Sequence, residues 1–203
     1  MSVNDYLGYE GKVCVVTGAS SGMGHAVTRI LVDLGAKVYA IARRESGVDG
    51  VVKNIPADLS KKEDIDAAFT QVPEHIDCFF GVAGLSGGKT DYMTTFNVNY
   101  TANRHIAETY LKKRMSEGGS ILFVTSAAGV AWRENIREGD LILPAETWEE
   151  IQQRMSELVI PVTPSPVAYM LSKRIANAYA CHLAVELGER GIRVNALMPG
   201  STD

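Results

Sequence analysis

The protein has 203 residues, which suits one domain with a single sizeable hydrophobic core. Hydrophobic residues make up 46% of the chain and charged residues 22%, the ordinary proportions of a soluble globular protein. The net charge is −4 and the basic residues are not clustered, which argues against a nucleic-acid partner. The longest apolar runs are too short to span a bilayer, and the first ten residues lack the pattern of a secretory signal. We therefore expect a cytoplasmic protein that binds neither nucleic acid nor membrane.

The cysteines, Cys14, Cys78 and Cys181, are odd in number and widely spaced. Each lies in an apolar context, which predicts buried, reduced thiols rather than disulfides. No cysteine or histidine pair has the spacing of a zinc site, and the four histidines are scattered. The sequence therefore predicts no metal site.

Short apolar runs rich in β-branched residues predict buried parallel strands at 12–17, 37–41, 51–55, 76–82, 120–125 and 192–197. Stretches of helical period alternate with these runs. The alternation predicts an α/β fold with a doubly wound parallel sheet (a Rossmann fold), formed as a single domain over residues 1–203.

Three stretches show an apolar helix face. The first face is followed by Gly35, which predicts the end of that helix. In chain order the faces comprise Ala26, Val27, Ile30, Leu31 and Leu34; then Ile106, Tyr110 and Leu111; then Val167, Met170, Leu171, Ile175, Tyr179, Leu183 and Leu187.

Two stretches break this rhythm. Residues 44–51 leave little room for a crossover helix, so we expect a turn there. Residues 127–166 contain far more chain than a strand-to-helix loop needs. We therefore expect an inserted helical segment at 130–165, because Trp148, Ile151, Met155 and Leu158 fall at helical spacing. This apolar face must be buried, either on its own domain or on a partner.

A glycine-rich turn links the first strand to the first helix. Glycines permit a tight turn and let backbone N–H groups approach a phosphate at the positive end of a helix. The turn therefore predicts a dinucleotide site that includes Gly18, Ser20, Ser21, Gly22, Met23 and Gly24.

A tyrosine and a lysine four residues apart, Tyr169 and Lys173, lie on a predicted helix and therefore share a face. A nearby cation favours the phenolate and lowers the pKa of the phenol. Tyr169 could then act as a general acid or base. The spacing alone is weak evidence, because Tyr39, Tyr100 and Tyr110 also have a basic residue four positions later.

The Thr-Gly-x-x-x-Gly-x-Gly pattern of residues 17–24 and the Tyr-x-x-x-Lys pattern resemble the short-chain dehydrogenase/reductase family, and the resemblance runs along essentially the whole chain. It implies that Asn99, Ser126, Tyr169 and Lys173 form a catalytic tetrad, and that Tyr169 and Lys173 also contact the cofactor. In the family the asparagine holds a water against the lysine, and the serine hydrogen-bonds the substrate oxygen.

The resemblance also implies further cofactor contacts. Asp58, followed by Leu59, matches the acid that reads the adenine amino group. Residues 81–84 occupy the place of the family's Asn-Asn-Ala-Gly, with Ala83 and Gly84 retained and both asparagines replaced. The segment that binds the nicotinamide carboxamide corresponds to Pro199, Gly200 and Thr202.

The end of the second strand bears on the choice of cofactor. Relatives that prefer NAD carry an acid there, whereas this chain has Ala42 followed by Arg43 and Arg44. An arginine can pair with a 2′-phosphate that a carboxylate would repel, so we expect NADP(H) rather than NAD(H). Against this, Ser21 stands where many NADP-using relatives have a basic residue.

The resemblance implies an oxidoreductase that transfers a hydride between NADP(H) and a ketone or secondary alcohol. The amino-acid sequence around Asn99 and the long segment before Tyr169 resemble the branch containing bacterial 3α-hydroxysteroid dehydrogenase/carbonyl reductase. We therefore expect a bulky carbonyl substrate. Relatives form homodimers or homotetramers, and residues 131–165 could shape the subunit interface or wall the substrate cleft. Relatives also continue beyond a segment like 199–203, so we expect the sequence to be truncated after Asp203.

Two alternatives remain open. A nucleotide-sugar epimerase or dehydratase also uses Tyr-x-x-x-Lys on this fold, but such relatives usually have a different glycine spacing. An NADP-binding sensor or scaffold without turnover would need the cofactor site but not the tetrad. Hydride transfer needs both, so a turnover assay separates the two functions.

Overall fold

The computed structural model describes residues 7–134, 137–158 and 166–201. Its centre is a six-stranded sheet with the order β3-β2-β1-β4-β5-β6, in which every neighbouring pair is parallel. The strands are β1 (Val13–Thr17), β2 (Lys37–Ala42), β3 (Lys53–Pro56), β4 (Ile76–Gly81), β5 (Met115–Val124) and β6 (Arg193–Leu197). The strand order reverses at β1, which pairs with β2 on one side and β4 on the other.

The helices are α1 (Gly22–Asp33), α2 (Lys62–Phe69), α3 (Tyr92–Phe96), α4 (Ala102–Ile106), α5 (Lys112–Arg114), α6 (Arg137–Ile142), α7 (Trp148–Glu157) and α8 (Pro166–Gly188). Two π-helical segments, Asn97–Thr101 and Ala107–Leu111, join α3 to α4 and α4 to α5. These five pieces form one unbroken helical run, which we call the central helix (residues 92–114).

Side chains on the two faces of the sheet form two separate cores. Because successive residues of a strand point to opposite faces, Val15 lies in one core while Cys14 and Val16 lie in the other. The core around Val15 includes residues of α2, the central helix and α8. The core around Cys14 includes Leu31 of α1. The sheet is therefore flanked by helices on both faces, which confirms the predicted doubly wound fold.

The predicted strands are found at their expected places, with one large difference in length. Strand β5 begins at Met115, five residues before the predicted start at Ser120. Its first half contains Glu117, Gly118 and Gly119, which carry no strand pattern of their own. As predicted, no helix lies between β2 and β3.

Some residues predicted to be buried are exposed. On α1, Ile30 is 52% exposed, and at the start of α8, Val167 is 44% exposed. The prediction of a buried thiol is wrong for Cys181, which is exposed on α8. It is followed there by the exposed His182, so this side of the helix faces away from the sheet. Cys14 is buried and Cys78 is partly buried, and all three cysteines are free.

The long segment after β5 contains a 3₁₀ turn (Ala127–Gly129) and helices α6 and α7. Helix α7 begins with a capping box between Thr147 and Glu150, and it buries Trp148, Ile151 and Met155. The Trp148 ring meets the His105 ring of α4 edge-on at 5.9 Å. Helix α7 therefore covers its apolar face on its own chain, against the central helix. Part of the predicted insertion, at 135–136 and 159–165, lies outside the described residues.

Among residues 7–134, 137–158 and 166–201, no helix is long and apolar enough to cross a membrane. Within the same ranges, no group of three or more His, Cys, Asp or Glu side chains could hold a metal ion.

Candidate active site

A cleft of about 420 Å³ opens at the carboxyl ends of the strands. It lies where the strand order reverses at β1, the place where open α/β sheets bind ligands. Its walls include most of the residues predicted for the cofactor. These are Gly18, Ser20, Ser21, Gly22, Met23, Gly24, Arg43, Arg44, Asp58, Leu59, Ala83, Gly84, Tyr169 and Lys173.

The glycine turn is held against the loop after β4 by close backbone contact. A Cβ on Gly18 would lie 2.7 Å from the Cα of Ala83, and a Cβ on Gly24 would overlap the carbonyl oxygen of Gly18. The Thr17 hydroxyl accepts bonds from the N–H groups of Val82 (3.1 Å) and Ala83 (3.3 Å). Glycine at positions 18 and 24 therefore permits a backbone approach that any side chain would block.

Helix α1 begins at Gly22, inside the cleft, and its first turn has no acidic residue. The side chain of the N-cap residue Ser21 makes no capping hydrogen bond. The first N–H groups of a helix carry a partial positive charge and lack partners within the helix. The turn therefore presents a cradle of backbone donors with space above it, which suits the pyrophosphate of a dinucleotide.

The far end of the cleft is positively charged. Arg43 and Arg44 are exposed on its wall, directly after Ala42 at the end of β2. Beside them, after the neighbouring strand β3, Asp58 accepts bonds from the backbone N–H (3.0 Å) and hydroxyl (2.8 Å) of Ser60. Burial acts to raise the pKa of Asp58, but the Ser60 bonds and the charges of Lys61 and Arg43 bring it below its usual value. Asp58 is therefore a fixed, ionised acceptor beside Arg43.

Helix α8 presents Tyr169 and Lys173 at the opposite end of the cleft. The Lys173 ammonium lies 5.7 Å from the centre of the Tyr169 ring and donates a 2.9 Å bond to the Val124 carbonyl at the end of β5. Lys173 is only 4% exposed, and this burial lowers its pKa to about 8. The lysine is thus a desolvated ammonium, fixed to the sheet beside the tyrosine.

The Asn99 side chain is 1% exposed and points to the loop after β4. Its Oδ1 accepts a bond from the Leu85 N–H (2.7 Å), and its Nδ2 donates to the Leu85 carbonyl (2.9 Å) and to the Ser172 hydroxyl (3.1 Å). Ser172 in turn donates to the Tyr169 carbonyl at 2.8 Å. Asn99 therefore joins the loop beside Gly84 to the helix that carries Tyr169 and Lys173.

Ser126 lies two residues after Val124, at the end of β5, and is only partly buried. Its hydroxyl oxygen accepts a bond from the Ala128 N–H at 3.2 Å, which caps the 3₁₀ turn. A hydroxyl that accepts one bond keeps its own proton to donate. Neither Ser126 nor Asn99 is among the residues that line the cleft itself.

Of the predicted carboxamide segment, Pro199 and Gly200 do not line the cleft. The Pro199 carbonyl accepts a 2.9 Å bond from the Ala127 N–H, so the segment lies beside the turn that follows Ser126. Thr202 lies outside the described residues.

The structure also shows polar residues that the sequence did not suggest. Where the family pattern has an asparagine, Gly81 leaves space that the buried Asn103 of α4 fills: a Cβ on Gly81 would lie 2.5 Å from its Oδ1. The Nδ2 of Asn103 donates a 3.4 Å bond to the Asn99 carbonyl. The sequence did offer one signal for this contact, because Asn103 follows the predicted site residue Asn99 by one helical turn.

Residues 12–136 match the family described as short chain dehydrogenase. The chain belongs to this family. The coniferyl-alcohol dehydrogenase of Pseudomonas sp. (strain HR199 / DSM 7063) is 33% identical over 192 residues, which cover 93% of this chain and 72% of that protein. Membership of the short chain dehydrogenase family makes the chain an NAD(P)-dependent oxidoreductase that acts between CH–OH and C=O groups.

Two solved structures show the same fold. The 3-alpha-hydroxysteroid dehydrogenase from Pseudomonas sp. B-0831, complexed with NADH, has a TM-score of 0.74 and 21% identity over 95% of this chain and 73% of its own. A short chain dehydrogenase from Burkholderia cenocepacia J2315, in complex with NADP, has a TM-score of 0.70 and 24% identity over 96% of this chain and 76% of its own. One neighbour binds NADH and the other NADP, so the likeness does not decide the cofactor.

Proposed function

We propose that the protein transfers a hydride between NADP(H) and a bulky ketone or secondary alcohol. The observation that carries this proposal is that the glycine turn, Arg43, Tyr169 and Lys173 line the same cleft. A protein that only sensed the cofactor would need the cradle and the arginine. It would have no need of a buried lysine beside a tyrosine.

The turn of residues 20–24 would hold the pyrophosphate, since it lines the cleft where the first N–H groups of α1 lack partners within the helix. Asp58 would accept from the adenine amino group. Arg43 would pair with the 2′-phosphate of the adenosine ribose, because Ala42 leaves no carboxylate there to repel it. NADPH, when bound, supplies the hydride.

Tyr169 would donate the proton to the carbonyl oxygen in reduction and accept it in oxidation. The Lys173 ammonium, still mostly protonated at neutral pH with its pKa near 8, would place a positive charge beside the Tyr169 ring. Ser126 would donate its hydroxyl proton to the same substrate oxygen. Asn99 would hold the loop at Leu85 and, through Ser172, the backbone of Tyr169.

The substrate end of the cleft combines apolar and hydroxyl side chains, among them Leu85, Val98 and Thr94. This lining suits an apolar carbonyl compound with few polar groups. The names of two similar proteins, a coniferyl-alcohol dehydrogenase and a 3-alpha-hydroxysteroid dehydrogenase, provide the first alcohols to test. We further propose that the protein acts as a homo-oligomer.

The test is a nicotinamide fluorescence assay against a panel of ketones, aldehydes and alcohols, run with NADH and NADPH side by side. The Tyr169→Phe variant, which keeps the ring but lacks the transferable proton, is the matched control. General acid–base catalysis contributes about 10² to 10⁴ in rate, so we expect turnover to fall by that factor with cofactor affinity nearly unchanged. Cofactor binding without turnover on any compound would favour a sensor, and near-normal turnover by Tyr169→Phe would remove the tyrosine from its role.

A further inference from the structure

One buried polar residue of α8 makes contacts that the proposed mechanism does not use. Asn177 is 3% exposed and follows Lys173 by one helical turn, on the same face of α8 as Tyr169 and Lys173. Its Nδ2 donates a 2.8 Å bond to the Gly129 carbonyl and lies 3.3 Å from the Met198 sulfur. Its Oδ1 is buried without a hydrogen-bond partner among the described residues.

The turn that Asn177 contacts is the one that follows Ser126. Gly129 packs against α8 so closely that a Cβ there would lie 2.7 Å from both the Asn177 amide nitrogen and the Lys173 carbonyl oxygen. The Gly129 N–H donates to the Ser126 carbonyl at 2.9 Å. The close packing of Gly129 against α8 therefore fixes the 3₁₀ turn that begins after Ser126.

The second contact of Asn177 reaches the segment after β6. Met198 precedes Pro199, whose carbonyl accepts the Ala127 N–H, and Thr125 donates its N–H to the Leu197 carbonyl at 2.8 Å. The segment 197–199 and the turn 126–129 thus form one hydrogen-bonded unit. Asn177 is the side chain of α8 that joins this unit to the Tyr169–Lys173 face.

We propose that Asn177 is a positioning residue, which holds the Ser126 turn and the Pro199 segment at a fixed distance from Tyr169. The argument concerns the free energy of burying the Asn177 side chain. A buried acceptor without a partner destabilises the folded state, so an apolar residue would fit this place with less penalty unless the donated bond to Gly129 were needed. Proton transfer requires such precision, because a substrate oxygen must lie within hydrogen-bond reach of both Ser126 and Tyr169.

This inference rests on the proposed function, so its test includes a measurement that needs no turnover. Asn177→Leu keeps the side-chain size and removes the polar atoms. Tyr179→Phe is the matched control: it removes one partly buried hydrogen bond of the same helix, from the Tyr179 hydroxyl to Glu108 (3.0 Å). In both variants we would measure amide hydrogen exchange at residues 126–130, kcat for a carbonyl substrate and the KM for NADPH.

For Asn177→Leu we expect exchange at Ala127 and Gly129 to become at least tenfold faster. We expect kcat to fall about tenfold and the KM for NADPH to stay within twofold, because the glycine turn is untouched. Tyr179→Phe should change none of the three. If the leucine variant does not fold, Asn177→Ser, whose hydroxyl is too short to reach Gly129, takes its place with the same expectations.

Unchanged exchange in the turn would overturn the inference, whether or not the protein turns over any substrate. Faster exchange with an unchanged kcat would also overturn it, because the contact would then hold the turn without serving the reaction. Equal losses of kcat in the Asn177 and Tyr179 variants would show a general structural effect instead. Absence of turnover in the unmodified protein would count against the proposed function, and the exchange comparison would still test Asn177.

Discussion

The two ends of the cleft are formed by different kinds of contact. At the nucleotide end, Gly18 and Gly24 bring backbone to backbone, and Arg43 extends from the end of β2 into open space. At the opposite end, Asn99 and Lys173 are almost fully buried and bond to main-chain groups remote in sequence. The glycine turn depends on the absence of side chains, whereas the opposite end depends on individual buried polar atoms. Substitutions should therefore affect the two ends in different ways.

The largest effect is expected at the nucleotide end, from the addition of a single methyl group. In Gly24→Ala the new Cβ would overlap the Gly18 carbonyl, a backbone atom that cannot turn aside. We expect the free energy of unfolding to fall by about 3 kcal/mol or more and NADPH binding to be lost. Thermal unfolding and fluorescence titration with NADPH would measure the two effects.

Two other glycines provide graded controls for that variant. Gly22 has φ of 52° but nothing within 4 Å of its Cβ position, so Gly22→Ala should cost about 1–2 kcal/mol from backbone strain alone. Gly88 has no such φ and no neighbour within 4 Å, so Gly88→Ala should be neutral. Equal effects of the Gly24 and Gly22 substitutions would show that close packing does not govern this end of the cleft.

The opposite end can be tested through the pH dependence of stability. Burial lowers the pKa of Lys173 to about 8, whereas the unfolded chain keeps its lysine protonated until about 10.5. Between these pH values the unfolded state binds more protons, so folding stability rises with pH. The cost of burying the charge is fully present below about pH 8 and is gone above about pH 10.5.

The Lys173→Met variant removes this charge and its titration. Relative to the variant, the unmodified protein should gain about 3 kcal/mol of stability between pH 7.5 and 10.5. Urea unfolding of both proteins at several pH values gives this difference, and the contributions of all other lysines cancel in it. A difference that stays constant with pH would show that Lys173 titrates normally, and the desolvated ammonium would have to be abandoned.

The smallest effect is expected from Arg43→Ala. Arg43 is exposed, so its pairing with a 2′-phosphate is weakened by water and salt. We expect the affinity for NADPH to fall about tenfold, or about 1.4 kcal/mol, and the affinity for NADH to change less than twofold. Fluorescence titration with both cofactors provides the comparison within one variant. Equal losses for the two cofactors would contradict the assignment of Arg43 to the phosphate.

The sequence predicted the local features of the site and missed the contacts between distant parts of the chain. The glycine turn and Arg43 lie within a few residues of a strand end, and their roles depend on local spacing that can be read directly. The pairing of Tyr169 with Lys173 is also local, because both lie on one helix. These predicted residues meet in the cleft.

The contacts that the sequence did not predict join distant parts of the chain. The bond of Lys173 to Val124 spans 49 residues, and that of Asn177 to Gly129 spans 48. No periodicity reports such contacts, because they depend on how the helices pack on the sheet. The early start of β5 at Met115 has the same origin: its pairing with β4, where Met115 meets Ile76, and not its composition, makes it a strand.

The π segments of the central helix determine how the helix would respond to the loss of a residue. A π turn holds one residue more than an α turn, and each residue of an α-helix advances by about 100° around the axis. Asn99, Arg104 and His105 reach different partners, which are Leu85, Leu143 and Asp66. Because the π segment Asn97–Thr101 takes up its extra residue in one wider turn, loss of one residue there would restore an α turn and leave Arg104 and His105 facing Leu143 and Asp66. A relative that is one residue shorter here should therefore be aligned with its gap inside the helix rather than in a neighbouring loop.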